Sequence, residues 1–255
     1  MSPVMRKSGA VFDAEHYLKR ARRPLHALVF LLPFLLLYEI GTVVITRDPD
    51  TGQAVHIVAR SFLGRVLAVF GDAGVLLPGV FVVVALLAWH IASRDRWEFD
   101  WRLYLAMTAE SVAVAIPLLM FALIWGRQVA VHLQATQLPA YSWQADLVFG
   151  VGAGVYEELV FRLIAIALLH TVFVSILELS ETTGTLLAVI CSAALFASYH
   201  FSAINPFAWG QFIFYALAGV YLGGVFVWRG FGIVAATHAF YDIFYVAIEH
   251  GLLRE

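Results

Sequence analysis

The sequence predicts an all-α protein, a polytopic transmembrane helical bundle of seven to eight spans. Three observations carry that expectation. The 255-residue chain is 62% hydrophobic. Only 13% of its residues are charged, where a soluble domain carries about 25%. Its apolar residues gather in runs close to the ~20 residues that cross a bilayer, and mean hydropathy is +0.84.

Residues 1–23 form a basic N-terminal tail. Six of the sixteen Lys and Arg residues (Arg6, Lys7, Lys19, Arg20, Arg22 and Arg23) precede the first apolar run. That bias places the N-terminus in the cytoplasm. No small-residue cleavage site follows the tail, so the first span reads as a retained anchor rather than a signal peptide. Residues 24–143 hold the N-terminal transmembrane helices, with spans predicted at Leu25–Ile45, Val75–Ala92 and Tyr104–Trp125. Four more are predicted at Asp146–Leu169, Leu186–His200, Ala208–Val227 and Phe231–Ile248.

Two stretches leave room for an eighth span. Val55–Phe70 carries Arg60 and Arg65 and reads as an amphipathic interfacial helix. Thr171–Leu179 is apolar but too short to cross, so it either extends the preceding helix or re-enters. Arg94, Arg96 and Arg102 lie between the second and third spans, which agrees with a cytoplasmic N-terminus after two crossings. The tryptophans fall mostly at predicted span ends, as interfacial belts do. Short loops and compact size give the chain a bacterial character, which assigns it to the cell (inner) membrane.

Composition also excludes function classes. A net charge of −2 gives no basic footprint for a nucleic-acid partner. Cys191 is the only cysteine, so neither an intramolecular disulfide nor a cysteine zinc site can form.

The ionisable residues inside predicted spans point to chemistry, because charge in hydrocarbon is costly and faces protein or a water-filled cavity. Residues 156–162 read Tyr-Glu-Glu-Leu-Val-Phe-Arg. Glu158 and Arg162 are four apart, share a helix face and are expected to pair. Glu157 is rotated about 100° from Glu158 and is free to point into a cavity. This spacing divides a working Glu157 from a structural Glu158–Arg162 pair, with an ion-pair clamp between helices as the bland alternative. His238 and Asp242 are also four apart, so Asp242 either holds the imidazole in one tautomer or joins it on one ligand. His200 ends the run Phe196-Ala-Ser-Tyr-His200. Glutamate with histidine suits activation of a water. Histidine with carboxylate also suits zinc, and Glu157, His200, His238 and Asp242 make a formal four-ligand set.

Several polar residues have plainer readings. Glu39 and Glu110 are expected near an interface rather than in a cavity. Asp146 marks a helix start, and His170 and His250 are terminal. Gly150, Gly152 and Gly154 precede the Glu pair at two-residue spacing, which permits close helix approach.

Glu157-Glu158-Leu-Val-Phe-Arg162 matches Glu-Glu-x-x-x-Arg. Phe196-Ala-Ser-Tyr-His200 matches Phe-x-x-x-His, and His238-Ala-Phe-Tyr-Asp242 matches His-x-x-x-Asn/Asp. In this order, on successive spans, the three motifs resemble the CPBP family: the type II CAAX prenyl proteases and their bacterial relatives, also called the ABI family. The resemblance covers residues 144–250, which it implies are a CPBP-like catalytic transmembrane core. It implies intramembrane proteolysis of a membrane-anchored peptide or protein within the lipid bilayer. By that resemblance Glu157 and His200 activate the water, His238 and residue 242 stabilise the oxyanion, and Glu158 and Arg162 support them. It favours a glutamate-type enzyme with no metal and no cofactor, with zinc as the alternative its ligands admit. Asp242 stands where the prenyl proteases carry Asn. An ionised Asp cannot donate to an oxyanion and a protonated one can, so Asp242 also has orienting and metal-ligating alternatives. Two readings compete with the protease: a transporter or channel using the Glu/His cluster for proton or cation transfer, and an inactive scaffold that binds a membrane partner.

Overall fold

The computed structural model describes residues 14–47, 52–71, 77–133, 142–202 and 205–252. Arg6 and Lys7 of the basic tail and Val75, the expected start of the second span, lie outside them. The described residues form nine helices and no strand: α1 Ala14–Ala21, α2 Pro24–Val44, α3 Val58–Leu67, α4 Pro78–Ser93, α5 Trp101–Leu133, α6 Trp143–Ile176, α7 Glu181–Tyr199, α8 Trp209–Arg229 and α9 Phe231–Glu249.

Local sequence accounts for the helix ends. Pro24 and Pro78 begin α2 and α4, where the missing N–H costs nothing. Ser142 and Ser180 cap α6 and α7 by accepting from the N–H groups of Ala145 and Thr183, and Asp146 and Glu181 complement the dipole in the first turns. Gly230, at φ +83°, ends α8 and turns the chain directly into α9. A left-handed conformation of this kind suits glycine.

Among the described residues, six helices are long and apolar enough to cross a membrane: α2, Trp101–Trp125 of α5, α6, α7, α8 and α9. The second expected span, α4, is apolar but only 16 residues long. Val55–Phe70 holds the ten-residue α3, too short to cross. Thr171–Ile176 extends the preceding helix and does not re-enter. The 34-residue α6 is not uniformly α-helical: Leu159–Ile166 and Thr171–Ile176 are π-helical. Large apolar side chains such as Ile40, Val44, Leu105, Leu168 and Leu186 point outward on these helices, as lipid-facing surfaces require. Trp101, Trp143, Trp209 and Trp228 sit at helix ends. The chain is an integral membrane protein.

Helix α9 is the centre of the bundle, and every residue from Phe231 to Ala239 is buried. It packs closely on α6 because Gly154 has no side chain. A Cβ there would lie 2.5 Å from the Ala239 nitrogen and 2.8 Å from the Ala235 carbonyl oxygen.

One face of the bundle gathers α1, the α4–α5 connection and the α8–α9 turn. Arg20 pairs with Asp100 at 2.8 Å and Arg23 with Asp95 at 3.5 Å. The Arg22 guanidinium donates to the Val227 carbonyl at 3.0 Å. Arg229, at the end of α8, pairs with Glu110, which also accepts from the Tyr17 hydroxyl. The opposite face holds the starts of α4, α6 and α8 and the ends of α2, α7 and α9. There His250 meets Asp146 at 2.9 Å, and Trp125 donates to the Gly210 carbonyl at 3.1 Å.

Candidate active site

Glu157 and Glu158 stand at the point where α6 changes from α- to π-winding. A π-turn is uncommon and frequently marks a functional site. Arg162 lies within the π-segment, and the i, i+4 pair expected from the sequence forms across the change of winding. Arg162 Nε lies 3.0 Å from Glu158 Oε2. Both side chains are buried, and the guanidinium also lies over the Phe196 ring, 4.2 Å from its centroid.

Glu158 does more than pair with Arg162. Its Oε1 lies 2.8 Å from His238 Nδ1. A carboxylate oxygen accepts, so this contact holds the Nδ1 proton and turns Nε2 outward. His238 Nε2 lies 3.5 Å from Asp242 Oδ2. The sequence offered Asp242 as the carboxylate that sets the imidazole tautomer, but the closer orienting group is Glu158, 80 residues away on another helix. Spacing along one helix carries no signal for that contact.

His200 is the first residue past α7. Its Nδ1 is 2.7 Å from the Phe196 carbonyl oxygen, so Nδ1 donates and Nε2 is left as an acceptor. Its ring stacks on Tyr215 of α8, with centroids 3.8 Å apart and planes at 13°. The Asn205 side-chain amide donates to the His200 carbonyl at 2.7 Å, and Tyr199 interacts with the Glu157 carboxyl. Tyr199, Asn205 and Tyr215 were not singled out in the sequence. Tyr199 and Asn205 flank His200 in the chain, whereas Tyr215 becomes its neighbour only through the packing of α8 on α7.

The expected site residues converge. Glu157, His200, His238 and Asp242, from three spans, all line one cavity of about 350 Å³. Ala153, Phe196 and Leu222 form apolar parts of its wall, while Trp125, Gln211, Tyr215 and Tyr245 lie toward one end. Glu158 and Arg162 are not in the lining. They stand behind it, 0% and 1% exposed. Glu39 and Glu110 are not in the lining either. Glu39 meets Tyr156 and Arg60, and Glu110 belongs to the Arg229–Tyr17 cluster at one face. The glycines before the Glu pair face neighbouring helices, and a Cβ on Gly150 would lie 2.6 Å from the Asp242 Cβ.

Among the described residues no three His, Cys, Asp or Glu side chains are grouped so as to hold a metal ion.

A family model for type II CAAX prenyl endopeptidase Rce1-like proteins matches residues 139–244. The match takes in Glu157, Glu158, Arg162, His200, His238 and Asp242, and it does not favour the transport alternative. No curated protein and no solved structure matches the chain. The segment that carries this membrane-embedded pair of histidines and two carboxylates around one cavity is thus similar, over residues 139–244, to the Rce1-like type II CAAX prenyl endopeptidases.

Proposed function

We propose that the chain is an intramembrane endopeptidase in which Glu157 and His200 activate water and His238 stabilises the oxyanion. The observation that carries this reading is the convergence of Glu157, His200, His238 and Asp242 on one cavity. At family level the activity is that of a membrane protease acting in a lipid bilayer on a protein substrate. The substrate proposed here is a membrane-anchored peptide or protein, and the membrane the bacterial cell (inner) membrane with the N-terminus in the cytoplasm.

The residues divide the work as follows. Water is held between the Glu157 carboxylate and His200 Nε2, the acceptor left free by the Phe196 contact. Its oxygen attacks the peptide carbonyl carbon as its proton passes to Glu157, and the carbonyl π pair moves to oxygen. His238, as the imidazolium with Nδ1–H donated to Glu158, donates from Nε2–H to that oxygen. Collapse of the tetrahedral species breaks the C–N bond, and Glu157 returns the proton to the departing amine. Asp242, beside His238 Nε2, either helps orient the ring or donates to the oxyanion when protonated. Water activation falls to Glu157 and His200, with no metal.

The test is turnover of a membrane-anchored reporter peptide. Glu157→Gln in folded protein is expected to lose about 10²–10⁴-fold in rate, the usual contribution of a general base. Near-normal turnover would overturn the assignment. Exhaustive chelation is expected to leave the wild-type rate unchanged. A rate that vanishes with chelator and returns with Zn²⁺ would replace the metal-free reading.

A further inference from the structure

We infer that the cavity opens to the non-cytoplasmic face of the membrane, so that its substrates are anchored peptides whose scissile segment is presented from outside the cytoplasm. The substrate half of this inference rests on the proteolytic reading above; the orientation half does not.

Two independent observations meet here. The first is where the cavity opens. Trp125 closes the membrane-crossing part of α5. His200 follows the last residue of α7, Gln211 is the third residue of α8, and Tyr245 is in the last turns of α9. All four line the cavity, and all four belong to the face that holds the Asp146–His250 contact. Glu157, Ala153, His238 and Leu222 lie deeper, in helix interiors. The mouth is therefore on the face opposite α1. Its aromatic rim has the amphipathic character of residues that settle at a membrane–water interface.

The second observation is charge. The α1 face carries Lys19, Arg20, Arg22, Arg23, Arg94, Arg96, Arg102 and Arg229. The opposite face carries Arg47, Arg60, Arg65 and Arg127 among the described residues, half as many, and Arg60 is tied to Glu39. An excess of Lys and Arg next to span ends marks the cytoplasmic side. Several α1-face arginines are locked to the α4–α5 connection, so the two basic segments share one side. Together, the bias puts α1 inside and the cavity mouth outside. A cytoplasmic C-terminal motif has no direct path to such a mouth. A peptide tethered by a span, or by a lipid in the outer leaflet, reaches it at the depth of the aromatic rim.

Cysteine accessibility decides the orientation without reference to activity. In a Cys191→Ser background, single cysteines are placed by Ser202→Cys and Gln211→Cys at the mouth and by Ser93→Cys on the α1 face. Spheroplasts are treated with a membrane-impermeant maleimide before and after permeabilisation. The mouth cysteines are expected to label in intact spheroplasts and Ser93→Cys only after permeabilisation. The reverse pattern overturns the inference, and so do mouth cysteines that stay unlabelled in both conditions. The substrate half is read with two reporters carrying the same anchored segment outside or inside. Cleavage of the outside reporter alone is expected, and cleavage of the inside one alone overturns it. Equal failure on both reporters, with Glu157→Gln no different from wild type, would instead count against the proteolytic reading and leave the labelling result standing.

Discussion

Arg162 is the residue on which the charge balance of the site turns. It is 1% exposed, pairs with Glu158 and rests on the Phe196 ring. Glu158 in turn holds His238. Removing the guanidinium strands a buried carboxylate, a loss of about 3–5 kcal/mol when one partner of a buried pair is deleted. It also frees Glu158 to shift away from His238. Arg162→Ala is therefore expected to lower the melting temperature in detergent and the cleavage rate together. Unchanged melting with lost activity would place the guanidinium on the substrate instead. Glu157→Gln is expected to do the opposite, abolishing cleavage while leaving melting near wild type, because Glu157 lines the cavity rather than joining the pair. The spacing of residues 157, 158 and 162 made the Glu158–Arg162 pair and the separate direction of Glu157 legible in advance. It did not disclose the bond from Glu158 to His238, since hydropathy and spacing say nothing about which helix becomes a neighbour.

At the scale of elements, the site depends on how closely α6 and α9 approach. Gly154 lies one turn before Glu157 and Glu158, and its missing side chain leaves room for the α9 backbone at Ala235 and Ala239. Backbone cannot rotate out of the way as a side chain tip can. Gly154→Ala is expected to force the helices apart, at a cost of about 1–3 kcal/mol for overpacking, and to reduce turnover by displacing Glu158 from His238. Gly224 of α8 is the control, because nothing lies within 4 Å of a Cβ built there. Gly224→Ala is expected to be neutral or to stabilise, by up to about 1 kcal/mol, as in any unobstructed helix interior. Thermal melting and cleavage rate of the two variants, measured side by side, separate packing from general helix effects. The π-winding of Leu159–Ile166 is an element-scale feature that the sequence did not reveal. Its residues are ordinary apolar helix formers, and the winding belongs to the packed bundle.

At the scale of the whole molecule, ion pairs fasten the N-terminal helix to the α4–α5 connection. The Arg20 guanidinium beside Asp100 holds that carboxyl below the usual carboxylate range. A carboxyl depressed in the folded state stabilises the fold above its unfolded value, about 3.9 for Asp, and loses that contribution as pH falls through the folded value. The pair is partly exposed and screened, so the effect is small. Thermal stability is expected to decline on acidification below about pH 4, with Asp100→Asn starting lower and declining less steeply. Identical slopes for the two proteins would remove Asp100 from the fastening.

The sequence by itself determined that this chain lives in a membrane, which of its segments are helices, and which six polar residues form the three motifs. These are local properties: hydropathy over about 20 residues and spacing within one turn are written in consecutive positions. Val75–Ala92 shows the limit of that reading. Its apolar run is long enough to suggest a full span, yet the helix occupies 16 residues from Pro78 to Ser93, because proline sets the start and Arg94 ends it in a left-handed conformation. Only the tertiary structure decided that Glu157, His200, His238 and Asp242 face one cavity and that Glu158 rather than Asp242 is the nearer partner of His238. Each of these relates groups on different helices. The physical reason is that three-dimensional neighbours in a helical bundle are chosen by packing, such as the approach that Gly154 permits, and not by distance along the chain.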